Sequence, residues 1–406
     1  MITILTNCAV IDCTGKSPMK DMTVVVEGDK IAELKPGAHR RAAGAGERIF
    51  DLEGGYVLPG LWDVHAHLGD LIPDPQHLLE SESAIDYAIR VGRNAMDALR
   101  AGVTGIRVLG EDHFADIAWK RAFDAGVFVG PRLFVCGRAI SVTGGHGWGT
   151  LGAWEVDGPY EMRKAVRENL KHGADQIKLM VTGGVMTAGE GMQESQLLAD
   201  EIEAATEVAH QKGKRVSVHA WGTEGLKAAI RGGVDCIEHG LLDDEAVEMM
   251  VDNGVFYVPT LHVTQDEERV RESGWPQFMV EKALGSAKAH RQGFHKALKA
   301  GVEIACGSDA SPLADFTLLE IEYLVKTGMG EMEALIAATR TCADLCGVVD
   351  RLGTVEVGKL ADLIVLSADP LENISSIRKL KLVLKGGKLV DISPQEGMAD
   401  FQELFF

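Results

Sequence analysis

No apolar run in the sequence approaches the roughly 20 residues that a membrane span needs. The first residues, Met1-Ile2-Thr3-Ile4-Leu5-Thr6-Asn7, lack the basic segment and cleavage site of a secretory leader. Positive charge is in deficit. Lys plus Arg number 41 against 60 Asp plus Glu, a formal net charge of −19. Such a chain repels phosphates and anionic lipid, which excludes nucleic acid and membranes as partners and leaves small molecules or other proteins. Regular cysteine spacing is missing as well. Seven thiols, an odd number at irregular intervals, do not make a disulfide framework. Cys136, Cys236 and Cys306 lie in apolar runs and read as buried, reduced thiols, so the cytoplasm is the expected compartment.

What is present suits one large α/β unit with a small appendage: 406 residues, 46% of them hydrophobic and 25% charged. Short strands separated by turn-prone residues are expected at 3–5, 9–12, 22–27 and 30–34, then at 49–52 and 56–57. The same texture returns at 362–366 and 380–390, with Gly386-Gly387 as a turn. Two β-rich ends around a different middle predict a small β-sandwich from residues 1–58 and 353–394, followed by a tail, 395–406.

The middle, 59–352, repeats one junction: an amphipathic run, a glycine, then an apolar strand. The glycines are Gly102, Gly126, Gly173, Gly213, the Gly232-Gly233 pair, Gly254 and Gly301. A glycine just past a helix end takes the left-handed conformation that closes the last turn. The run before the first junction predicts a helix with Ile85, Ala88, Ile89, Ala95, Met96 and Leu99 on one face and Ser81 or Ser83 as its cap. The strands after the junctions, at 106–109, 133–136, 177–181, 216–218, 256–258 and 304–306, are continuously apolar, as in parallel sheets covered on both faces. Seven junctions after a first strand give eight strands, the count of a (β/α)8 TIM-like barrel. A doubly wound sheet is the alternative, but no Gly-x-Gly-x-x-Gly follows the first strand.

Barrel enzymes build their sites where the strands end. Strand one ends in Gly60-Leu61-Trp62-Asp63-Val64-His65-Ala66-His67. Side chains two apart on a strand share a face, so His65 and His67 can converge on a divalent metal. Lys178 lies in strand four, His219 ends strand five, strand six ends in Cys236-Ile237-Glu238-His239, and Asp309 ends strand eight in Gly307-Ser308-Asp309. Each alone also reads as an ordinary structural residue: a snorkelling lysine, a hydrogen-bonding histidine, a helix cap. Together at one rim they point to a metal centre.

These positions, with the flanking run Leu352-Gly353-Thr354-Val355-Glu356-Val357-Gly358-Lys359-Leu360-Ala361-Asp362-Leu363, resemble the binuclear-metal branch of the amidohydrolase superfamily over nearly the whole chain. Within it, Ser141-Val142-Thr143-Gly144-Gly145-His146-Gly147, Ala174-Asp175-Gln176-Ile177-Lys178-Leu179-Met180-Val181-Thr182-Gly183-Gly184 and His219-Ala220 are most similar to prolidase-like dipeptidases and carboxypeptidases. The resemblance implies two divalent ions per chain, zinc being favoured by imidazole and oxygen ligands. It implies an N6-carboxylated Lys178 bridging them, with His65, His67 and Asp309 on one ion and His219 and His239 on the other. It implies hydrolysis of an amide C–N bond in a small molecule by metal-activated hydroxide, with Asp309 moving the proton, and a homo-oligomer. His146, in a glycine-rich loop, is a candidate contact for a substrate carbonyl or carboxylate. Trp221 departs from the tyrosine or histidine of relatives and favours a bulky or aromatic acyl group; Trp148 points weakly the same way. Carbamate, urea or lactam hydrolysis is the alternative, and a non-catalytic scaffold a third reading.

Overall fold

The computed structural model describes residues 1–39, 42–69, 82–148, 152–310 and 313–393. The expected tail at 395–406, most of the loop after His67, Ser81 and the Ser311-Pro312 pair lie outside these residues.

Sixteen strands are described. Four precede the repeating region: β1 (Ile2–Val10), β2 (Met19–Glu27), β3 (Lys30–Pro36) and β4 (Glu47–Pro59). Nine follow: β5 (Leu61–Ala66), β6 (Val103–Val108), β7 (Arg132–Phe134), β8 (Ile140–Ser141), β9 (Trp154–Glu155), β10 (Ile177–Met180), β11 (Val216–His219), β12 (Cys236–Glu238) and β13 (Phe256–Val258). The last three are β14 (Leu363–Leu366), β15 (Leu380–Lys385) and β16 (Lys388–Leu389).

Both ends of the chain meet as expected, but in one seven-stranded sheet, β16-β15-β14-β4-β1-β2-β3, where two facing sheets of a sandwich were predicted. The reason is β4. The sequence suggests two short strands, yet one run of 13 residues pairs with β1 on one edge and β14 on the other. The period of two is visible in β14. Leu363 and Val365 join a core private to this sheet, while Ile364 and Leu366 join the large core of the middle region.

The middle is barrel-like α/β. Parallel strands form the sheets β5-β6-β7 and β13-β12-β11-β10-β8-β9. The amides of Asp175 and Gln176 bond to the Val135 carbonyl, which ties the end of β7 to the start of β10. Residues 303–309 lie between β13 and β5: Tyr257 N–H donates to Glu303 O, and Val64 N–H to Cys306 O, each at 2.9 Å. The expected strand at 304–306 is reduced to a single bridge, Ile304 with Tyr257. All seven junctions carry a glycine with positive φ. At Gly254 (φ 63°) the amide closes back on Met250 and Val251, the geometry a Cβ would strain.

The helix Ala84–Arg100 is capped by Ser83, but its buried face differs from the expected one. Ala95 and Leu99 are buried as expected, but Tyr87, Val91 and Ala98 share their face, while Ile85 and Ile89 are exposed. Arg90 takes the inward place in the first half because it bonds Glu82 and the Gly69 carbonyl. The seven cysteines are free thiols, six of them buried.

Candidate active site

The predicted metal-ligand residues stand in or just beyond the ends of the central parallel strands. His65 is the fifth residue of β5, His67 lies just beyond it, Lys178 is in β10, His219 closes β11, and His239 follows β12. Asp309 ends the 303–309 segment, where its amide bonds to the His65 carbonyl at 2.7 Å. All these side chains except Asp309 are at least 95% buried. His239 (φ 71°), Thr260 (φ 50°) and Asp309 (φ 56°) hold left-handed backbone, a conformation that costs energy and collects at functional sites.

The polar atoms converge. His65 Nε2 lies 3.0 Å from Asp309 Oδ1, His67 Nε2 lies 3.4 Å from the same oxygen, and His239 Nε2 lies 3.8 Å from Oδ2. Ligand atoms of His65, His67 and Asp309 fall within 4.8 Å of one another, a grouping able to hold a cation. The rings of His239 and His219 continue the chain at 4.7 Å between centroids.

His219 meets the Gly183 carbonyl through Nε2 at 3.3 Å, and the other three histidines are engaged at Nδ1. His65 Nδ1 donates to Glu238 at 2.9 Å, His67 Nδ1 to the Gly110 carbonyl at 3.3 Å, and His239 Nδ1 meets Thr260 Oγ1 at 2.7 Å. Acceptors at Nδ1 put the hydrogen there on His65 and His67, which leaves Nε2 as the lone-pair donor. Burial holds His219 and His239 well below the usual imidazole range, so both rings are neutral. Burial raises the Asp309 carboxyl, but the adjoining His65 and His239 pull it further the other way, and it stays ionised.

Lys178 is the decisive member. Its Nζ is buried with no hydrogen-bond partner among the described residues, and burial lowers its pKa despite Glu238 and Asp309 nearby. An unpartnered ammonium in that place is costly. A neutral amine can add carbon dioxide, and the resulting carbamate would supply a second carboxylate beside Asp309 and the four histidines. The donor set therefore fits a pair of divalent ions.

These groups open on a cavity of about 610 Å³. His65, His67, Lys178, His219 and Asp309 line it; His239 sits behind Trp221, whose indole stacks on its ring at 4.9 Å and 4°. Trp221 is 1% exposed and, with His146, belongs to the cavity wall. Trp148 does not: it is 51% exposed.

Four residues escaped the sequence reading. Arg107 and Glu238 pair at 2.6 Å in the barrel interior, Asp63 accepts the His65 and Ser308 amides at 3.0 and 3.1 Å, and Glu190 binds His146. The signal was there for the first three. A charged residue inside a strand that is apolar on both faces, as in Ile106-Arg107-Val108, must have a buried partner.

The profile described as Amidohydrolase family matches residues 56–390. Ochratoxinase of Aspergillus niger is 33% identical over 365 residues, covering 82% of this chain and 75% of that protein. Among solved structures, a Xaa-Pro dipeptidase with methionine bound in its active site superposes with a TM-score of 0.89 at 34% identity, over 96% of this chain and 100% of that one. A prolidase complexed with N-methylphosphonate-L-proline gives 0.87 at 32% identity, over 96% and 99%. Matched along nearly its whole length, the chain belongs to the Amidohydrolase family and lies near the prolidase-like dipeptidases within it.

Proposed function

We propose that this protein is a metal-dependent hydrolase that cleaves the amide C–N bond of a small molecule, a dipeptide or an N-acyl amino acid. One observation carries the reading: the buried, unpartnered Lys178 amine amid neutral histidines and an ionised aspartate. His65, His67 and Asp309 would hold one ion, His219 and His239 the other, and Lys178 would serve both as its carbamate. Divalent ions held there, zinc best suited to the ligands, would lower the pKa of water towards roughly 7 and polarise a carbonyl oxygen.

The chain's own groups do the rest. Asp309, ionised and within reach of the histidine cluster, accepts the proton of the attacking water and passes it to the leaving nitrogen. Glu238 and Thr260 keep the rings of His65 and His239 in register. Val185, Met186, Trp221, Val270, Trp275 and Met279 give the cavity an apolar wall that excludes water and suits a bulky acyl group. The ochratoxinase and prolidase relatives support an amide as the bond broken.

The test is hydrolysis of a panel of dipeptides, N-acyl amino acids, carbamates and ureas by the metal-loaded protein. The reading expects turnover of amides, fastest with aromatic acyl groups. Turnover confined to carbamates or ureas would overturn it.

A further inference from the structure

One buried ionisable group behind the cavity wall has no part in the scheme above. Glu190 lies in the loop after β10, between Gly189 (φ 83°) and Gly191. Its side chain is 7% exposed. Its Oε1 takes His146 Nδ1 at 2.5 Å and the Gly184 amide at 2.7 Å; its Oε2 takes the Gln196 side-chain amide at 2.9 Å.

The surroundings are built to hold this pair. The Gln196 carbonyl oxygen accepts the His146 amide at 2.8 Å, so one glutamine orients both partners. Thr187 Oγ1 accepts the Gly147 amide at 3.2 Å. Lys282, from the long helix Gln277–Ala300, donates to the Gly184 and Thr187 carbonyls at 2.9 and 2.8 Å and pins the loop. Close packing rules out a side chain at Gly184: a Cβ there would stand 2.3 Å from His146 Cε1 and 2.7 Å from His219 Nε2.

The His146 ring stacks on His219 at 4.0 Å between centroids and 16° between planes. With Nδ1 taken by Glu190, Nε2 is the remaining polar atom of a ring that lines the cavity, and it has no partner among the described residues.

We infer that Glu190 is a positioning residue for His146: it fixes the hydrogen on Nδ1 and the plane of the ring, so that Nε2 faces the bound substrate beside the hydrolytic centre. His146 is then the catalytic contact and Glu190 acts through it. The inference rests on the hydrolase reading for its kinetic consequence, though not for the hydrogen it places.

A carboxylate can accept all three donors at once. Glutamine at 190 cannot, because its amide would face another N–H donor at Gln196 or Gly184. The tautomer in E190Q therefore becomes mixed while the fold persists, and the test has two arms. Imidazole ¹⁵N spectra of the metal-loaded wild type, assigned with H146N, should show the hydrogen on Nδ1 of His146; E190Q should show it redistributed. In kinetics, H146N and E190Q should each lower kcat about 10- to 100-fold, with metal content held, and the double variant should fall no further than the worse single one. The inference is overturned by Nε2–H in the wild type, by kcat in E190Q within twofold of wild type, or by losses that multiply in the double variant. Absence of any hydrolysis by the wild type would instead sink the hydrolase reading, and the spectra would still decide the role of Glu190.

Discussion

The Glu238 carboxylate bridges two buried partners: His65 Nδ1 at 2.9 Å on one oxygen and the Arg107 guanidinium at 2.6 Å on the other. Arg107 reaches on to the Val64 carbonyl and Ser217 Oγ, so one ion pair ties β5, β6, β11 and β12 beneath the site. Burial raises the Glu238 pKa, but Arg107 and His65 pull it well below the carboxylate range. E238Q should keep the shape and loosen His65, weakening metal affinity by about 10- to 100-fold as read by chelator competition. E238L leaves Arg107 buried and unpaired, and should cost roughly 3–5 kcal/mol of stability in denaturant unfolding. Unchanged affinity in E238Q would show that His65 needs no such support.

Lys178 gives a prediction with opposite signs in two assays. K178A should abolish turnover, since no other residue can supply the carbamate. K178M should raise the melting temperature of the metal-free protein, because it removes a buried amine that has no partner. A metal-free K178M less stable than wild type would mean that the lysine is satisfied in the apo protein.

The stability of the metal-free protein should fall as the pH drops below 6.5. Burial lowers four histidines from the ordinary 6.5, His219 and His239 far below it and His262 and His290 to about 4. Below pH 6.5 the unfolded chain takes up protons that these folded rings refuse, so stability falls; His262 and His290 each account for about 3 kcal/mol by pH 4. Burial raises Glu320 from 4.5 to about 8, and its contribution, full below 4.5, is lost as the pH climbs through 8. Burial likewise raises Asp116, to about 6, which offsets part of the histidine effect on the acid side. Melting curves from pH 4 to 6.5 check the fall, and a melting temperature that holds or rises towards pH 4 would contradict it.

The parts legible in the sequence were those with a local cause. Junction glycines announce themselves because only a left-handed residue closes those helix ends, and strand-end histidines stand out against apolar runs. Illegible parts depend on what lies across the fold. The pairing of β4 with β14 set one sheet in place of two, and the Arg90 contact with Gly69 turned the first half of its helix away from the periodic face. Glu238 reads as a polar interruption until Arg107, 131 residues away, is seen beside it. Glu190 lies in a glycine-rich loop whose course no periodicity encodes.

Trp221 should set the acyl preference. Its indole covers His239 and contacts His290, so W221A should cost about 3–5 kcal/mol of stability and enlarge the cavity. W221Y keeps an aromatic face and adds a hydroxyl. It should raise KM for aromatic acyl substrates several-fold and leave small acyl groups little changed. Equal effects on both classes would remove Trp221 from substrate recognition.

The central claim is tested most directly by counting metal and following activity as it is removed and restored. The account predicts about two divalent ions per chain, loss of amide hydrolysis when a chelator strips them, and recovery with zinc and bicarbonate; D309N should bind metal and stay inactive. Hydrolysis that survives complete removal of metal, or near-wild-type turnover by metal-loaded D309N, would contradict it.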